Sequence, residues 1–377
     1  MQGSIQKRLG KRGVTWTVVI DLPRDPVTGK RRQQRLSAPS KREAEALLAR
    51  ALHEVQAGTF VEPVKLTLAT YLQQWLERIQ TTIRPSTYVV YERIIRQHLQ
   101  PALGAVPITR LQPLQIQGYY SEQLMRLGTA TVALHHSVLN RALRQAVRWR
   151  IIPHNPCEGT DPPRARNARF PVWSAEQIAT FLDATADSYY HPLWLVALGS
   201  GMRLSELLAL RWSDIDFRRG TLRVTKTLSQ QRDHTFAPGS PKTDAGARTI
   251  DLPSSCLQAL QELRARSVTG VLVFTDPAGE QLQPGSVSAR FGLEQHRLRD
   301  LGLPRLRFHD LRHTAGTLMF ENGEYPKAVS ERLGHSSVGI TMDRYGHVTR
   351  GQRRGIAERL DGILRGSGGA PTERKAR

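Results

Sequence analysis

The sequence predicts a multidomain α+β protein. We expect a small β-sheet with a helix at the N-terminus, an all-α middle domain, and a mainly α C-terminal domain with a small antiparallel sheet. A chain of 377 residues is too long for one ordinary core. Apolar residues alternate as in strands at 15–21 and between 221 and 252. Elsewhere they recur at helical intervals. The expected domains are residues 1–58, 64–158 and 173–349, with a linker at 159–172 and a tail at 350–377.

Composition limits the possible partners and the compartment. The net charge of +21 and the pI of about 10.8 favour nucleic acid or an anionic membrane surface as partner. No apolar run approaches the ~20 residues that span a bilayer. The basic N-terminus is not followed by an apolar stretch, so it is not a secretory signal. Cys157 and Cys256 lack a metal-binding spacing. We therefore expect a cytoplasmic, DNA-associated protein with no membrane partner.

The first sixty residues predict a strand at 15–21, a returning strand at 31–36, and turns at 10–13 and 25–29. Ser40 and Glu43 form a capping box that opens a helix, and Gly58 closes it. Residues 1–60 contain 12 Lys and Arg against 5 Asp and Glu. This excess indicates either a DNA-binding unit or a basic face that is merely solvated.

The middle domain is predicted to contain helices at 67–79, 86–99, 114–127 and 129–149. Arg144 and Arg148 lie off the apolar seam of the fourth helix and are candidate phosphate contacts, although a solvated face is the usual reading of such a charge pattern. Five prolines between 153 and 171 predict an extended linker. Its arginines either lie along a DNA backbone or are simply solvated: Arg164, Arg166 and Arg169.

The last domain is predicted to begin at a capping box, Ser174 to Gln177, and to continue with an apolar helix at 191–198. Arg203 follows a glycine-containing turn, and Glu206 lies one helical turn later. A strand pair is predicted to flank a loop that contains Lys242. Taken alone, Lys242 is a solvated hairpin lysine, and Lys226 is its main rival for any chemical role. A further helix is predicted at 284–300.

The stretch 305–347 combines imidazole, guanidinium and phenol groups. His309 and Arg312 share one helical face, Gly334 is suited to end a helix before His335, and Tyr345 follows. Guanidinium grips phosphate oxygens, imidazole carries protons near neutral pH, and a phenol can act as nucleophile. His309 and His313 also resemble a zinc helix, but Arg312 between them would repel a cation. A lone tyrosine is otherwise most often core or surface filler.

Four motifs carry a family resemblance. HDLRHTAGT, LGHSS and DRYGH, preceded by GMRLSELLAL, resemble the conserved boxes of the tyrosine recombinases, the phage integrase family. The hairpin Pro-Lys-Thr with Arg-Thr-Ile-Asp-Leu is similar too, although Ala-Gly-Ala at 245–247 departs from the usual pattern. The resemblance implies six catalytic side chains: Arg203, Lys242, His309, Arg312, His335 and Tyr345.

The resemblance also implies a role for each side chain. Arg203, Arg312 and His335 would hold the non-bridging oxygens of the scissile phosphate. Tyr345 would attack the phosphorus and leave a 3′-phosphotyrosine and a free 5′ hydroxyl. No metal and no cofactor would be required, because the phosphotyrosine keeps the energy of the broken bond.

Three supporting roles follow from the same resemblance. His309 would act as general base on the phenol, and Lys242 as general acid on the leaving 5′ oxygen. Glu206 would orient an arginine, because an unpaired carboxylate facing the phosphate would repel it.

At the level of the whole protein, the resemblance implies a lambda-type integrase whose N-terminal three-stranded sheet binds arm sites in DNA. Such an enzyme integrates or excises a mobile element. Its partners would be double-stranded attachment sites, a homotetramer of the chain, and DNA-bending or excisionase-type accessory proteins. Two other classes stay open: a type IB topoisomerase that relaxes supercoils, and a DNA-binding protein without cleavage activity.

Overall fold

The computed structural model describes residues 3–10, 13–22, 29–56, 66–164, 170–241, 244–266 and 270–345. The chain forms two compact units, Met1–Asn167 and Ala168–Arg377. Across these described ranges, no helix has the length and apolar character needed to span a bilayer. The predicted fold class is confirmed: small antiparallel sheets accompany a helical middle region and a mainly helical C-terminal region.

The N-terminal part of the first unit is a three-stranded antiparallel sheet with one helix. Its elements are β1 (Gly3–Gly10), β2 (Gly13–Leu22), β3 (Arg32–Ala38) and α1 (Lys41–Gln56). Val18 and Ile20 on β2 are fully buried in the cluster that includes Ala44 of α1. The first hydrogen bond of the predicted capping box is present, because the amide of Glu43 donates to Oγ of Ser40 at 3.2 Å. The periodicity of the sequence indicated β2 and β3, whereas β1, with its basic Lys7 and Arg8, gave no comparable apolar signal.

The rest of the first unit is helical. Its helices are α2 (Leu68–Ile79), α3 (Pro85–Ile94), α4 (Gln100–Leu103), α5 (Pro113–Leu124) and α6 (Thr129–Arg148), with a π-helical turn at Ile95–Leu99. All four predicted helices are confirmed. Trp75 and Leu139 are buried in their core, and the hydroxyl of Tyr71 donates to the carbonyl of Ala142 at 2.6 Å. Burying such a hydroxyl is tolerable because it is hydrogen-bonded.

The second unit combines two small sheets with eight helices in its described parts. Its elements are α7 (Ala175–Ala184), α8 (His191–Ser200), α9 (Leu204–Leu207), β4 (Ile215–Asp216), β5 (Thr221–Val224), β6 (Thr227–Gln230), β7 (Phe236–Gly239), β8 (Arg248–Asp251), α10 (Ser254–Arg266), α11 (Pro284–Arg297), α12 (Phe308–Glu321), α13 (Pro326–Leu333) and α14 (Val338–Tyr345). The sheet order is β4-β5-β8, and β6 pairs with β7. Gln177 and Ser174 form the predicted capping box at α7.

An aromatic cluster fixes the start of α12, the helix that contains HDLRHTAGT. Trp194, Phe291 and Phe308 lie with ring centroids 5.3 to 5.7 Å apart. Trp173 donates its indole N–H to the carbonyl of Pro304 at 2.8 Å, just before this helix. Each such side chain buries a large apolar area, so α12 is anchored in the main core of the unit.

His135 lies in the core of the helical domain, 1% exposed. Its Nδ1 is 2.8 Å from the hydroxyl of Tyr119, and its ring packs 4.5 Å from that of His98. Burial, with a smaller contribution from His98, lowers the pKa of His135 to about 4. The imidazole is therefore neutral in the folded protein at neutral pH.

Acidification should destabilise the chain through His135. An unfolded histidine has a pKa near 6.5, so below that pH the unfolded state binds more protons and stability falls as pH drops toward 4. We expect a contribution of about 2 kcal/mol lost between pH 7 and 5. Urea unfolding at both pH values should show a smaller loss for His135→Gln than for the wild type. The exposed His154→Gln should keep the wild-type loss, and equal losses in all three proteins would contradict the prediction.

Candidate active site

Arg203 begins the short helix α9 and is half-buried, with 38% of its side chain exposed. Its backbone amide donates to Oε2 of Glu206 at 3.0 Å, and its Nη1 donates to Oε1 at 2.7 Å. Its Nη2 donates to the carbonyl of Gly334 at 3.0 Å, on the far side of the site. Arg203 thus connects α9 to the end of α13.

Glu206 is 3% exposed and is paired a second time, with Arg248. Nη2 of Arg248 lies 2.9 Å from Oε2, and its Nη1 lies 3.3 Å from Oε1. Burial alone would raise the pKa of Glu206, but Arg248 and Arg203 hold it below its usual value. The carboxylate is therefore charged and holds two guanidinium groups in place.

Arg248 also joins other parts of the chain. Its Nε donates to the carbonyl of Arg332 in α13 at 2.7 Å, and its Nη1 donates to that of Gly246 at 3.1 Å. Its side chain is only 7% exposed. A single guanidinium therefore connects β8, the loop before it, α9 and the C-terminal turn of α13.

Arg312 is 3% exposed on α12 and donates its Nη1 to the carbonyl of Gly201 at 2.8 Å. Its Nη2 is buried and has no hydrogen-bond partner among the described residues. Burial, followed by the nearby Arg203, lowers the pKa of Arg312 to about 9, which leaves it protonated at neutral pH. A buried, charged donor without a partner is costly unless a ligand supplies an acceptor.

His335 follows Gly334, which ends α13 in the left-handed conformation with φ of 66°. As the glycine spacing predicted, the chain turns sharply here. The imidazole is 8% exposed, and its Nδ1 lies 2.7 Å from Oγ1 of the buried Thr341. Burial, with Arg312 next, lowers the pKa of His335 to about 3, so the ring is neutral. When Thr341 donates to Nδ1, the N–H at Nε2 is left as a hydrogen-bond donor.

Tyr345 is the last described residue of α14 and is 2% exposed. Its ring lies nearly parallel to that of His335, with centroids 6.5 Å apart and planes inclined by 12°. Its hydroxyl oxygen is 3.0 Å from Nδ1 of His313. Burial raises the pKa of Tyr345, while the neighbouring Arg312 and Arg344 oppose that shift. The phenol is therefore protonated at rest.

Five of the six predicted catalytic residues lie in the second unit around this cluster, and the sixth, Lys242, lies outside the described residues. His309 projects from the same helix as Arg312, and its ring lies edge-on to that of His313 at 5.0 Å. Desolvation by the surrounding protein, followed by Arg312, lowers the pKa of His309, although its ring is still open to solvent. The rival Lys226 is partly exposed between β5 and β6.

Of the predicted DNA-contacting arginines, too, some lie within the described residues and some outside them. Arg144, Arg148 and Arg164 are exposed in the first unit. Arg166 and Arg169 fall outside the described residues, as does the tail at 350–377. Within the described parts of the chain, no three His, Cys, Asp or Glu side chains are grouped as metal ligands. Among the described residues, no third side chain of these types joins His309 and His313.

Three residues of the site were not among the predicted catalytic residues: Arg248, His313 and Gly316. Arg248 shares the strand parity of the buried Ile250, and an arginine on an inward-facing position was the available signal. His313 stands one turn after His309. Gly316 is in the interior of a helix, where glycine costs about 1 kcal/mol relative to alanine. A Cβ there would lie 2.6 Å from Cζ of Tyr345, so the glycine makes room for the phenol.

The charges of the cluster favour an anionic ligand. Arg203, Arg248 and Arg312 bring three positive charges to a single buried carboxylate, that of Glu206. The neighbouring imidazole of His335 is neutral and supplies a donor rather than a charge. An excess of fixed guanidinium beside a phenol suits a group that is negatively charged and open to nucleophilic attack, such as a phosphodiester.

Comparison with known proteins agrees with this chemistry. Residues 172–352 match the family model described as "Phage integrase family", and residues 67–124 match "Phage integrase, N-terminal SAM-like domain". Together these matches cover more than half of the chain. A tyrosine recombinase XerC-like protein of Caldanaerobacter subterraneus is 29% identical over 93% of this chain and 96% of its own. The ICEBs1 integrase of Bacillus subtilis is 24% identical over 93% and 97%.

Solved structures share the fold. The Tn1549 transposon integrase, solved in complex with a circular intermediate DNA, has a TM-score of 0.68 at 22% identity. It covers 78% of this chain and 99% of that one. A lambda integrase tetramer bound to a Holliday junction has a TM-score of 0.56 at 20% identity and covers 88% and 95%.

Removing the guanidinium of Arg248 should destabilise the second unit. Arg248→Met leaves the buried carboxylate of Glu206 with only Arg203 as cationic partner, which typically costs about 3 kcal/mol. Because the penalty comes from the unpaired charge, adding Glu206→Leu should recover part of it, and a double-mutant cycle in urea would measure the coupling. Additive losses from the two changes would contradict this account.

Alanine at position 316 should displace Tyr345 without weakening the helix. The added Cβ would come within 3 Å of the phenol, whereas alanine itself favours helix by about 1 kcal/mol over glycine. We expect tetranitromethane to nitrate Tyr345 faster in Gly316→Ala than in the wild type, as read by peptide mass spectrometry, with no loss of melting temperature. The exposed Tyr325 supplies the internal reference. If Tyr345 is nitrated no faster in Gly316→Ala than in the wild type, the alanine does not displace the phenol, and the prediction is wrong.

Proposed function

The chain belongs to the phage integrase family, the tyrosine recombinases, and we propose that it cuts and rejoins DNA with Tyr345 as nucleophile. The observation that carries this assignment is the cluster of Tyr345, His335 and Arg312 in one buried site. Nη2 of Arg312 lacks an acceptor among the described residues. A scissile phosphate would supply that acceptor and lie next to the phenol.

Three side chains would hold the phosphate. Arg203 and Arg312 supply fixed positive charge to the non-bridging oxygens, and neutral His335 donates a hydrogen bond. Charge on these oxygens increases in the pentacoordinate transition state, and the cations stabilise it there. Removing one such preorganised donor typically lowers the rate ~10²–10³-fold. Glu206 orients Arg203 and stays outside the group that faces the phosphate.

The chemical step exchanges one ester bond for another. The phenolic oxygen of Tyr345 bonds to phosphorus as the bond to the 5′ oxygen breaks. His309 takes the phenolic proton, and Lys242 gives a proton to the departing 5′ oxygen. The 3′-phosphotyrosine conserves the bond energy, and a 5′ hydroxyl of the partner duplex reverses the step to join the strands. This sequence of steps uses no metal and no nucleotide cofactor.

The first unit would supply the contacts to DNA. On the face of the N-terminal sheet opposite α1, Gln6, Thr17 and Ser37 lie side by side, and the exposed Arg35 is near them. This polar, uncovered face suits an arm site. Arg144, Arg148 and Arg164 are exposed for phosphate contacts in the core-binding domain and linker.

The assembly we propose is a homotetramer on two double-stranded attachment sites in the cytoplasm, which integrates or excises a mobile element. The lambda integrase tetramer on a Holliday junction supports this arrangement through its shared fold. DNA-bending or excisionase-type proteins would set the direction. A topoisomerase with the same chemistry would relax supercoils without needing paired sites, and a binder without cleavage activity would form no covalent adduct.

Tyr345→Phe should abolish covalent capture of DNA and leave binding intact. The test uses a nicked suicide duplex. After cleavage, the short fragment that bears the freed 5′ hydroxyl diffuses away, and the covalent protein–DNA adduct is resolved on a denaturing gel. Because the phenolic oxygen is the atom that bonds to phosphorus, its removal should lower adduct formation below detection. Tyr325→Phe alters an exposed tyrosine of the same unit and should react as the wild type does.

An adduct formed by Tyr345→Phe would overturn the nucleophile assignment. Adduct formation on any duplex, with supercoil relaxation and no dependence on paired sites, would favour the topoisomerase. No adduct from the wild-type protein on its own attachment site would favour the non-catalytic binder.

A further inference from the structure

The hydroxyl of Tyr345 has one hydrogen bond within the described residues, and it is to His313. Nδ1 of His313 lies 3.0 Å from the phenolic oxygen, and both side chains are 2% exposed. His309, the residue expected to assist the phenol, stands one turn earlier on α12 and makes no hydrogen bond to Tyr345 in the described structure. The contact to the nucleophile is therefore made by a histidine outside the predicted catalytic set.

The ring of His313 is held on several sides. Phe170 stacks on it with centroids 4.3 Å apart and planes 15° apart, and His309 meets it edge-on. Phe170 is in turn covered by the guanidinium groups of Arg307 and Arg344, 6.0 and 5.9 Å from its centroid. A ring held in this way keeps its nitrogen in a fixed direction.

The protonation states suit a hydrogen bond in which the phenol donates. Burial, followed by His309 and Arg344, lowers the pKa of His313 to about 4, and burial raises that of Tyr345. At neutral pH the imidazole is thus neutral and the phenol keeps its proton. Asp310, which would raise the pKa of His313, is itself paired with Arg307 at 2.8 Å. So weak a base orients the hydroxyl more readily than it removes the proton.

We propose that His313 is the positioning residue for the nucleophile: its Nδ1 accepts the hydrogen bond of the Tyr345 hydroxyl and keeps the phenolic oxygen against α12, beside Arg312. This inference rests on the proposed function and adds a residue to it. The role differs from that of His309, which takes the phenolic proton during the reaction, when the O–H turns from Nδ1 of His313 as the oxygen bonds to phosphorus. Holding a nucleophile in its reactive geometry can be worth ~10²-fold in rate when the alternative is a displacement of about 1 Å.

Asparagine and leucine at position 313 form a matched pair. Both lose the ring that stacks on Phe170 and have the same branched arrangement of heavy atoms, but the amide oxygen of asparagine can accept near the position of Nδ1, and leucine has no acceptor. In single-turnover cleavage of the suicide duplex, we expect His313→Leu to form adduct about 100-fold more slowly than the wild type. His313→Asn should recover at least tenfold of that loss, and DNA affinity should be unchanged in both.

A second measurement needs no change at His313. In protein labelled with ¹⁵N-histidine, Nδ1 of His313 should resonate as an unprotonated acceptor at pH 6. Its shift should change in Tyr345→Phe and stay the same in Tyr325→Phe. A histidine whose Nδ1 does not accept from the phenol would show no such change, so this experiment still tests the hydrogen bond itself if the variants at 313 fail to fold.

The inference is overturned if His313→Leu cleaves at the wild-type rate, if asparagine reacts as slowly as leucine, or if the Nδ1 signal ignores Tyr345→Phe. Failure of the proposed function has a different signature, because Tyr345→Phe itself would then still form adduct. If Tyr345→Phe is inactive and His313→Leu is fully active, the assignment of Tyr345 as nucleophile stands and only the role of His313 is rejected.

Discussion

The buried carboxylate of Glu206 is the constraint on which the site depends. A desolvated carboxylate is stable only when its oxygens are fully paired, and here they accept from Arg203 through one backbone and one side-chain donor and from Arg248 through two. Arg248 also donates to the carbonyl of Arg332, so β8 and α13 are held together. One negative charge thus fixes two guanidinium groups before any phosphate arrives, which is the preorganisation that electrostatic catalysis needs.

Charge and orientation are supplied by different side chains in this site. The arginines keep their charge at neutral pH, because even Arg312 has a pKa of about 9. The imidazoles of His313 and His335, with pKa values of about 4 and 3, stay neutral and act through the direction of their nitrogens. Burial lowers the pKa of both kinds of group, but only the imidazoles, which titrate near neutral pH, lose their proton. The attraction for phosphate should therefore change little between about pH 5 and 8, above the pKa values of the imidazoles and below that of Arg312.

The sequence predicted the elements whose signals are local. The apolar period indicated the helices of the middle domain, the capping boxes marked Ser40 and Ser174, and the motifs placed Arg203, Arg312 and His335 together. Contacts between side chains that are far apart along the chain could not be predicted from the sequence. Arg248 reaches Glu206 across 42 residues, and His313 reaches Tyr345 across 32. Strand parity marked the arginine and helical spacing the second histidine, but neither pattern names the partner, which is fixed only when the chain packs.

The nucleophile and the phosphate-holding groups have different anchorage. Leu207 beside Arg203 and Leu311 beside Arg312 belong to the large core of the second unit. Tyr345 ends an eight-residue helix and is buried in a separate small cluster with Phe320, Val329 and Leu333. A helix this short has little stability of its own, so its position depends on that packing and on the contact with His313. In the reaction proposed above, such an arrangement would let the phenol bond to phosphorus and later release it while the cations around the phosphate stay where they are.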